Sequence, residues 1–211
     1  HLFGSFCSYK QQPVLHKLLL SYFSIKATPP EKEKLKLEIQ KFAQDNPSLN
    51  HLEKASFPYS RPINPINRYD IKEFYDLFSD IAGVNVFFIV CLRDIIHSTL
   101  STWKRFDTNL SIALEAKAQE DSLIYINSQM QLIPENNFLV VSYKSICSNP
   151  EGFAELFKNK SGMHNIEFNP KKVHLSNKKH DDHEHGPFLK DFFDKDRMSQ
   201  FNFLFAKVSN F

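Results

Sequence analysis

Residues 84 to 92, VNVFFIVCL, are almost continuously apolar, rich in β-branched and aromatic side chains, and end against Arg93 and Asp94. A run of this length and content predicts a strand buried on both faces, the central strand of a parallel sheet, and such a strand requires helices above and below it. A second run, NFLVVSY at residues 137 to 143, predicts another buried strand. LFGSF at residues 2 to 6 and part of LNHLEKASF predict shorter ones. Between them the apolar spacing switches to the helical period. Val14, Leu15, Leu18, Leu19 and Tyr22 predict one face of a helix starting near Gln11, with Pro13 in its first turn. Thr28 and Glu31 stand in capping-box spacing ahead of Leu35, Ile39 and Phe42. Asp70 is placed to cap a helix whose inward residues are Ile71, Phe74, Phe78 and Ile81, stopping at Gly83. Helices are also expected over residues 95 to 106 and about 108 to 132. A further one follows Ser148, read as its cap, with Pro150 and Glu151 in the first turn. Strands thus alternate with helices, which predicts an α/β layered fold with a mainly parallel central sheet flanked by helices. Ligands in such folds sit beyond the carboxyl ends of the strands.

At 211 residues with 42% hydrophobic content, the chain is expected to form a single domain over residues 1 to 211. A net charge of only +2 gives no ground for nucleic-acid binding, so an anion site must come from local placement. Cys7, Cys91 and Cys147 are too few and scattered for a disulfide framework, which favours a reducing, cytoplasmic setting. The triplets Asn109-Leu-Ser111 and Asn159-Lys-Ser161 match the glycosylation sequon. With them, a Golgi lumen location is the alternative where an N-terminal anchor precedes His1. No apolar run approaches the roughly 18 residues of a membrane-spanning helix.

Arg93 stands where the best strand ends, and Ser101 follows two turns into the next helix. An arginine offers a planar fork for two phosphate oxygens and a serine hydroxyl adds a third donor without excluding the ligand. Asp94 either caps that helix or orients Arg93. Downstream, Tyr143, Lys144, Ile146 and Asn149-Pro150-Glu151 follow the second strand. Together these residues resemble the PAPS-dependent sulfotransferases, in which a buried strand ends in Arg-Asp, a serine eight positions after the arginine joins it on the donor's 3′-phosphate, and a later strand leads into a Tyr-Glu-x-Leu segment and Asn/Asp-Pro-Glu. The resemblance covers roughly residues 84 to 160. Ile95 replaces the usual proline and Lys144 the usual acid.

The resemblance implies a P-loop-like layered fold and 3′-phosphoadenosine 5′-phosphosulfate (PAPS) as co-substrate. It also implies in-line transfer of a sulfuryl group to a hydroxyl or amine of a small-molecule or glycan acceptor. A loop near the first strand, often Gly-x-x-x-Ser-Gly-Thr-Thr, cradles the 5′-phosphosulfate through backbone amides. Here Gly4 and Ser8 keep that separation, whereas Cys7, Tyr9, Lys10 and Gln11 depart from the pattern, with Lys10 as the replacement cation. His16, two turns into the following helix, is the first candidate for the base, and His51 and Glu53, beside Lys54, are the others. Lys178 and Lys179 match the basic segment that closes over the nucleotide in many members. The run KKHDDHEHG, residues 178 to 186, raises metal binding through His180, His183 and His185, as in a metal-dependent hydrolase, against an exposed charged loop; no metal is expected. The competing reading of the whole chain is a non-catalytic nucleotide-binding or scaffolding protein of the same fold.

Overall fold

A computed structural model describes residues 7–8, 13–24, 26–47, 51–52, 70–106, 111–164, 169 and 184–209. Its centre is a three-stranded parallel sheet of β3 (Phe88–Leu92), β4 (Phe138–Ser142) and β5 (Val208–Ser209), in the order β3-β4-β5. A separate two-stranded parallel pair joins β1 (Cys7–Ser8) to β2 (His51–Leu52). The first corrects one expectation. Among the described residues β3 pairs only with β4, so β4 is the central strand, and residues 138 to 141 are buried while Cys91 in β3 is exposed.

Both faces of β4 carry apolar side chains, which alternate along the strand, and each set takes its own helices. Phe138 and Val140 pack with Ile126 and Met130 of α5 (Ile112–Met130) and Leu204 of α10 (Asn202–Ala206). Leu139 and Val141 face the other way, onto Ile146 of α6 (Tyr143–Ser148) and Phe153 and Phe157 of α7 (Pro150–Ser161). The described residues are therefore mixed α/β and mostly helical, with a small parallel sheet flanked by helices.

The helical periods bury what they predict, with small exceptions. In α1 (Pro13–Tyr22), Leu15, Leu19 and Tyr22 are buried, but Val14 lies in the first turn at the edge of the stripe and is 55% exposed. α2 (Pro29–Asp45) starts at Thr28, whose backbone N–H and hydroxyl both donate to the Glu31 carboxylate at 2.8 and 2.7 Å. Burial of Ile39 joins α2 to α1 and to α3 (Ile71–Ser79). Asp70 caps α3 by accepting from the Glu73 N–H at 2.8 Å, while the helix itself ends at Ser79 and Gly83 takes up a positive φ of 82° only after a further turn.

α4 (Ile95–Phe106) matches its expected bounds. α7 is capped by Asn149 rather than Ser148, because α6 runs to Ser148 and leaves Asn149 as the first non-helical residue; its side chain accepts from the Gly152 N–H at 3.0 Å. Toward the C-terminus α8 (Gly186–Phe192) sets Leu189 and Phe193 against Leu100 of α4 and Ala116 of α5, and α9 (Lys195–Ser199) leads on to α10. Among the described residues no helix is long and apolar enough to cross a membrane.

Candidate functional site

The parallel register fixes the site. Leu92 of β3 lies opposite Ser142 of β4, so the residues that follow, Arg93 and Tyr143, emerge side by side at the carboxyl edge of the sheet. The Arg93 guanidinium lies 5.5 Å from the centroid of the Tyr143 ring. An aromatic face holds an arginine without neutralising it, leaving the planar fork to bind something else. Among the described residues Arg93 forms no ion pair, and it is exposed.

The nearest carboxylate in sequence, Asp94, is committed to the helix. Its Oδ1 accepts from the His97 N–H at 2.9 Å and lies 3.4 Å from His97 Nδ1, while its carbonyl accepts from the Ser98 N–H at 2.8 Å. Of the two roles open to Asp94, the cap is the one realised, as helix-end donors demand. No other acid lies in the first turn of α4.

Ser101 is half-buried on α4, two turns from Arg93. Its neighbours Thr99 and Thr102 return their hydroxyls to the carbonyls of Ile95 and Ser98, at 2.7 and 2.8 Å. The Ser101 hydroxyl makes no such bond with a described residue and keeps its donor and acceptor capacity.

Burial and a hydrogen bond to the Cys147 thiol push the Tyr143 phenol above its ordinary value, with the Arg93 guanidinium pulling the other way. Tyr143 is thus a neutral platform at physiological pH. Neither Cys91 nor Cys147 is in a disulfide. The arrangement suits an anion: one guanidinium, one hydroxyl and a helix N-terminus, with the adjacent Asp94 carboxylate already engaged as the helix cap.

The remaining sequence candidates are placed as follows. His16 is half-buried on α1, which packs on α2 and joins the core around α3. Ser8 is the last residue of β1, paired with Leu52, whereas the expected loop has it past a strand; His51 is the first residue of β2. Gly4, Tyr9, Lys10, Gln11, Glu53, Lys54, Lys178, Lys179, His180 and His183 lie outside the described residues. His185 meets the Trp103 ring edge to face at 4.9 Å, and its Nε2 is 3.6 Å from Glu184. Among the described residues no group of three His, Cys, Asp or Glu is placed to hold a metal. Of the sequons, Asn159 is exposed but sits within α7, and Ser161 is buried. A shallow recess of about 340 Å³ on α7, lined by Asn149, Gly152, Glu155, Leu156 and Asn159, holds a carboxylate and no cation, and is no anion site.

One contributor escaped sequence reasoning. Tyr143 as the platform for Arg93 was encoded in the fact that each residue directly follows a parallel strand. Compared with known protein families, curated proteins and solved structures, the chain matches none of them.

Proposed function

We propose that the chain is a P-loop-like, sulfotransferase-type domain that binds PAPS and transfers its sulfuryl group to a hydroxyl or amine of a small-molecule or glycan acceptor. One observation carries the reading: Arg93, exposed at the carboxyl end of β3 and without a carboxylate partner among the described residues, precedes by two helical turns a Ser101 hydroxyl not bonded back to its helix. A nucleotide 3′-phosphate fits this donor set. Arg93 would present two N–H groups to two phosphate oxygens, Ser101 would donate to a third, and the Tyr143 ring would keep the guanidinium in its plane. PAPS supplies the sulfuryl group when bound. The chain's own tasks are to orient it, to take the acceptor's proton and to stabilise the departing phosphate. His16 is the candidate for the proton, with His51 and Glu53 as alternatives, and Lys10 is the candidate cation.

The test is incubation of the full chain with labelled PAPS and a broad panel of hydroxyl and amine acceptors. A sulfated product formed in proportion to enzyme is the expected result. Ser8 at the end of β1 and Tyr9 where the family has glycine favour the second reading, a nucleotide-binding protein without turnover. Tight binding of the desulfated nucleotide PAP with no product from any acceptor is the outcome that selects it.

A further inference from the structure

The sequon Asn159-Lys-Ser161 lies in the last turn of α7. Phe153, Phe157 and Ser161 are buried on the inward side of the helix, while Asn159 is exposed. Among the described residues the Asn159 side chain has no hydrogen-bond partner to lose. Ser161 is occupied: its hydroxyl accepts from the Met163 N–H at 3.2 Å and its carbonyl from the Asn85 side-chain amide at 3.0 Å. That burial belongs to the folded state, whereas an Asn-x-Ser sequon is read on the extended chain as it enters the secretory pathway. The fold has only to leave room for the sugar afterwards.

That room is present. Asn159 lines the recess of about 340 Å³ on α7 together with Asn149, Gly152, Glu155 and Leu156, a volume at the low end of those that hold small ligands. Gly152 stands two helical turns before Asn159 and so on the same line of the helix surface. Having no side chain, it keeps that end of the recess open; a Cβ there would meet the side chain of Asn149, which caps the helix. Side chains on a helix lean toward its N-terminus, so the Asn159 amide leans toward Glu155 and Leu156, into the recess and not away from it. One apolar side chain, two amides and one carboxylate suit a neutral sugar, with its C–H face on Leu156 and its hydroxyls toward Glu155 and Asn149.

We propose that Asn159 is an N-glycosylation site of chain delivered to the secretory pathway, and that the first N-acetylglucosamine lies in this recess over Leu156. Asn159 Nδ2 forms a bond to C1 of the first sugar of a lipid-linked oligosaccharide, and the C1–O bond to the lipid pyrophosphate breaks. The pyrophosphate leaves with the electron pair, the amide gives up one proton, and nothing is oxidised or reduced. Once seated, the sugar covers the outer side of Leu156, which packs on the cluster of Phe153 and Phe157. The proposal takes the luminal of the two settings that the sequence leaves open. It is independent of the nucleotide reading, because no residue of α7 belongs to the site at Arg93 and Ser101.

The experiment expresses the full chain behind a cleavable secretion leader in eukaryotic cells, with Asn109→Gln so that Asn159 heads the one remaining sequon. Leader-cleaved protein, which has reached the lumen, is mapped by mass spectrometry before and after peptide N-glycosidase. Most chains should carry a glycan at Asn159 that the enzyme removes, leaving Asp in its place, and the double variant with Asn159→Gln should carry none. Leader-cleaved protein with Asn159 unmodified overturns the proposal. The seating is read on chain trimmed to a single N-acetylglucosamine, whose protons should show nuclear Overhauser contacts to the Leu156 methyl groups and whose urea midpoint should exceed that of the Asn159→Gln chain. A trimmed chain whose sugar lacks those contacts, or whose midpoint is no higher, overturns the seating.

Discussion

Phe153→Ala probes whether the two faces of the sheet belong to one cooperative unit. Phe153 is 1% exposed and sits with Leu139, Val141, Ile146 and Phe157 on the α6–α7 side of β4, its ring 6.4 Å from that of Phe157. Truncation at a site this buried removes an aromatic side chain and leaves a cavity, a loss of about 3 to 5 kcal/mol. Against a total stability of about 5 to 15 kcal/mol, that is a large fraction. With a urea dependence of about 2 kcal/mol per molar, the midpoint should fall by about 1.5 to 2.5 M. The chain's one tryptophan, Trp103, lies on α4 against His185, in the region of the cluster that joins α4, α5 and α8. Its fluorescence therefore reports on the side of the molecule that the substitution does not touch. Coincident fluorescence and circular-dichroism transitions, both displaced by that amount, are expected. A Trp103 transition unchanged in the variant while the dichroism shifts, or a loss under 1 kcal/mol by both probes, refutes the single cooperative core.

Burial, and after it the Glu73 carboxylate, push the Tyr22 phenol up to about 12. The folded state thus holds this proton more tightly than the unfolded chain, whose phenol ionises near about 10. The stability it contributes is present below about pH 10 and lost between there and about pH 12; Tyr22→Phe should flatten that alkaline decline, and a tyrosinate absorbance titration showing Tyr22 ionising near 10 in the folded protein would contradict it. Asn149→Ala should cost about 1 kcal/mol through loss of the α7 cap, and Ser148→Ala a few tenths at most, by urea denaturation. The reverse order would return the cap to Ser148.

Much of the fold was legible because periodicity reports burial directly. Leu15, Leu19, Ile39, Phe78 and Val140 are buried where their spacing predicts, and the caps at Thr28 and Asp70 follow from short polar side chains meeting helix-end N–H groups. What periodicity does not encode is strand order. VNVFFIVCL and NFLVVSY are equally apolar, so which of them takes two partners depends on where β5 returns, and Val208–Ser209 is too short to announce itself. The choice between Ser148 and Asn149 turned on where α6 ends, a tertiary matter that two adjacent cap-forming residues leave open. At the site, the positions of Arg93 at the end of β3 and of Ser101 on α4 were readable from the strand and helix periods. The Tyr143 platform was not, since it depends on the register between strands fifty residues apart.

The central claim is that Arg93 and Ser101 hold a nucleotide phosphate, and calorimetric titration with PAP tests it most directly. Wild type should bind PAP with one site per chain. Arg93→Ala should lose on the order of 1.5 to 3 kcal/mol of binding, the worth of a charge-assisted hydrogen-bonding group, with an unchanged urea midpoint because the side chain is exposed. Ser101→Ala should lose less, about 0.5 to 1.5 kcal/mol. No heat of binding in wild type, or equal PAP affinity in wild type and Arg93→Ala, would contradict the account.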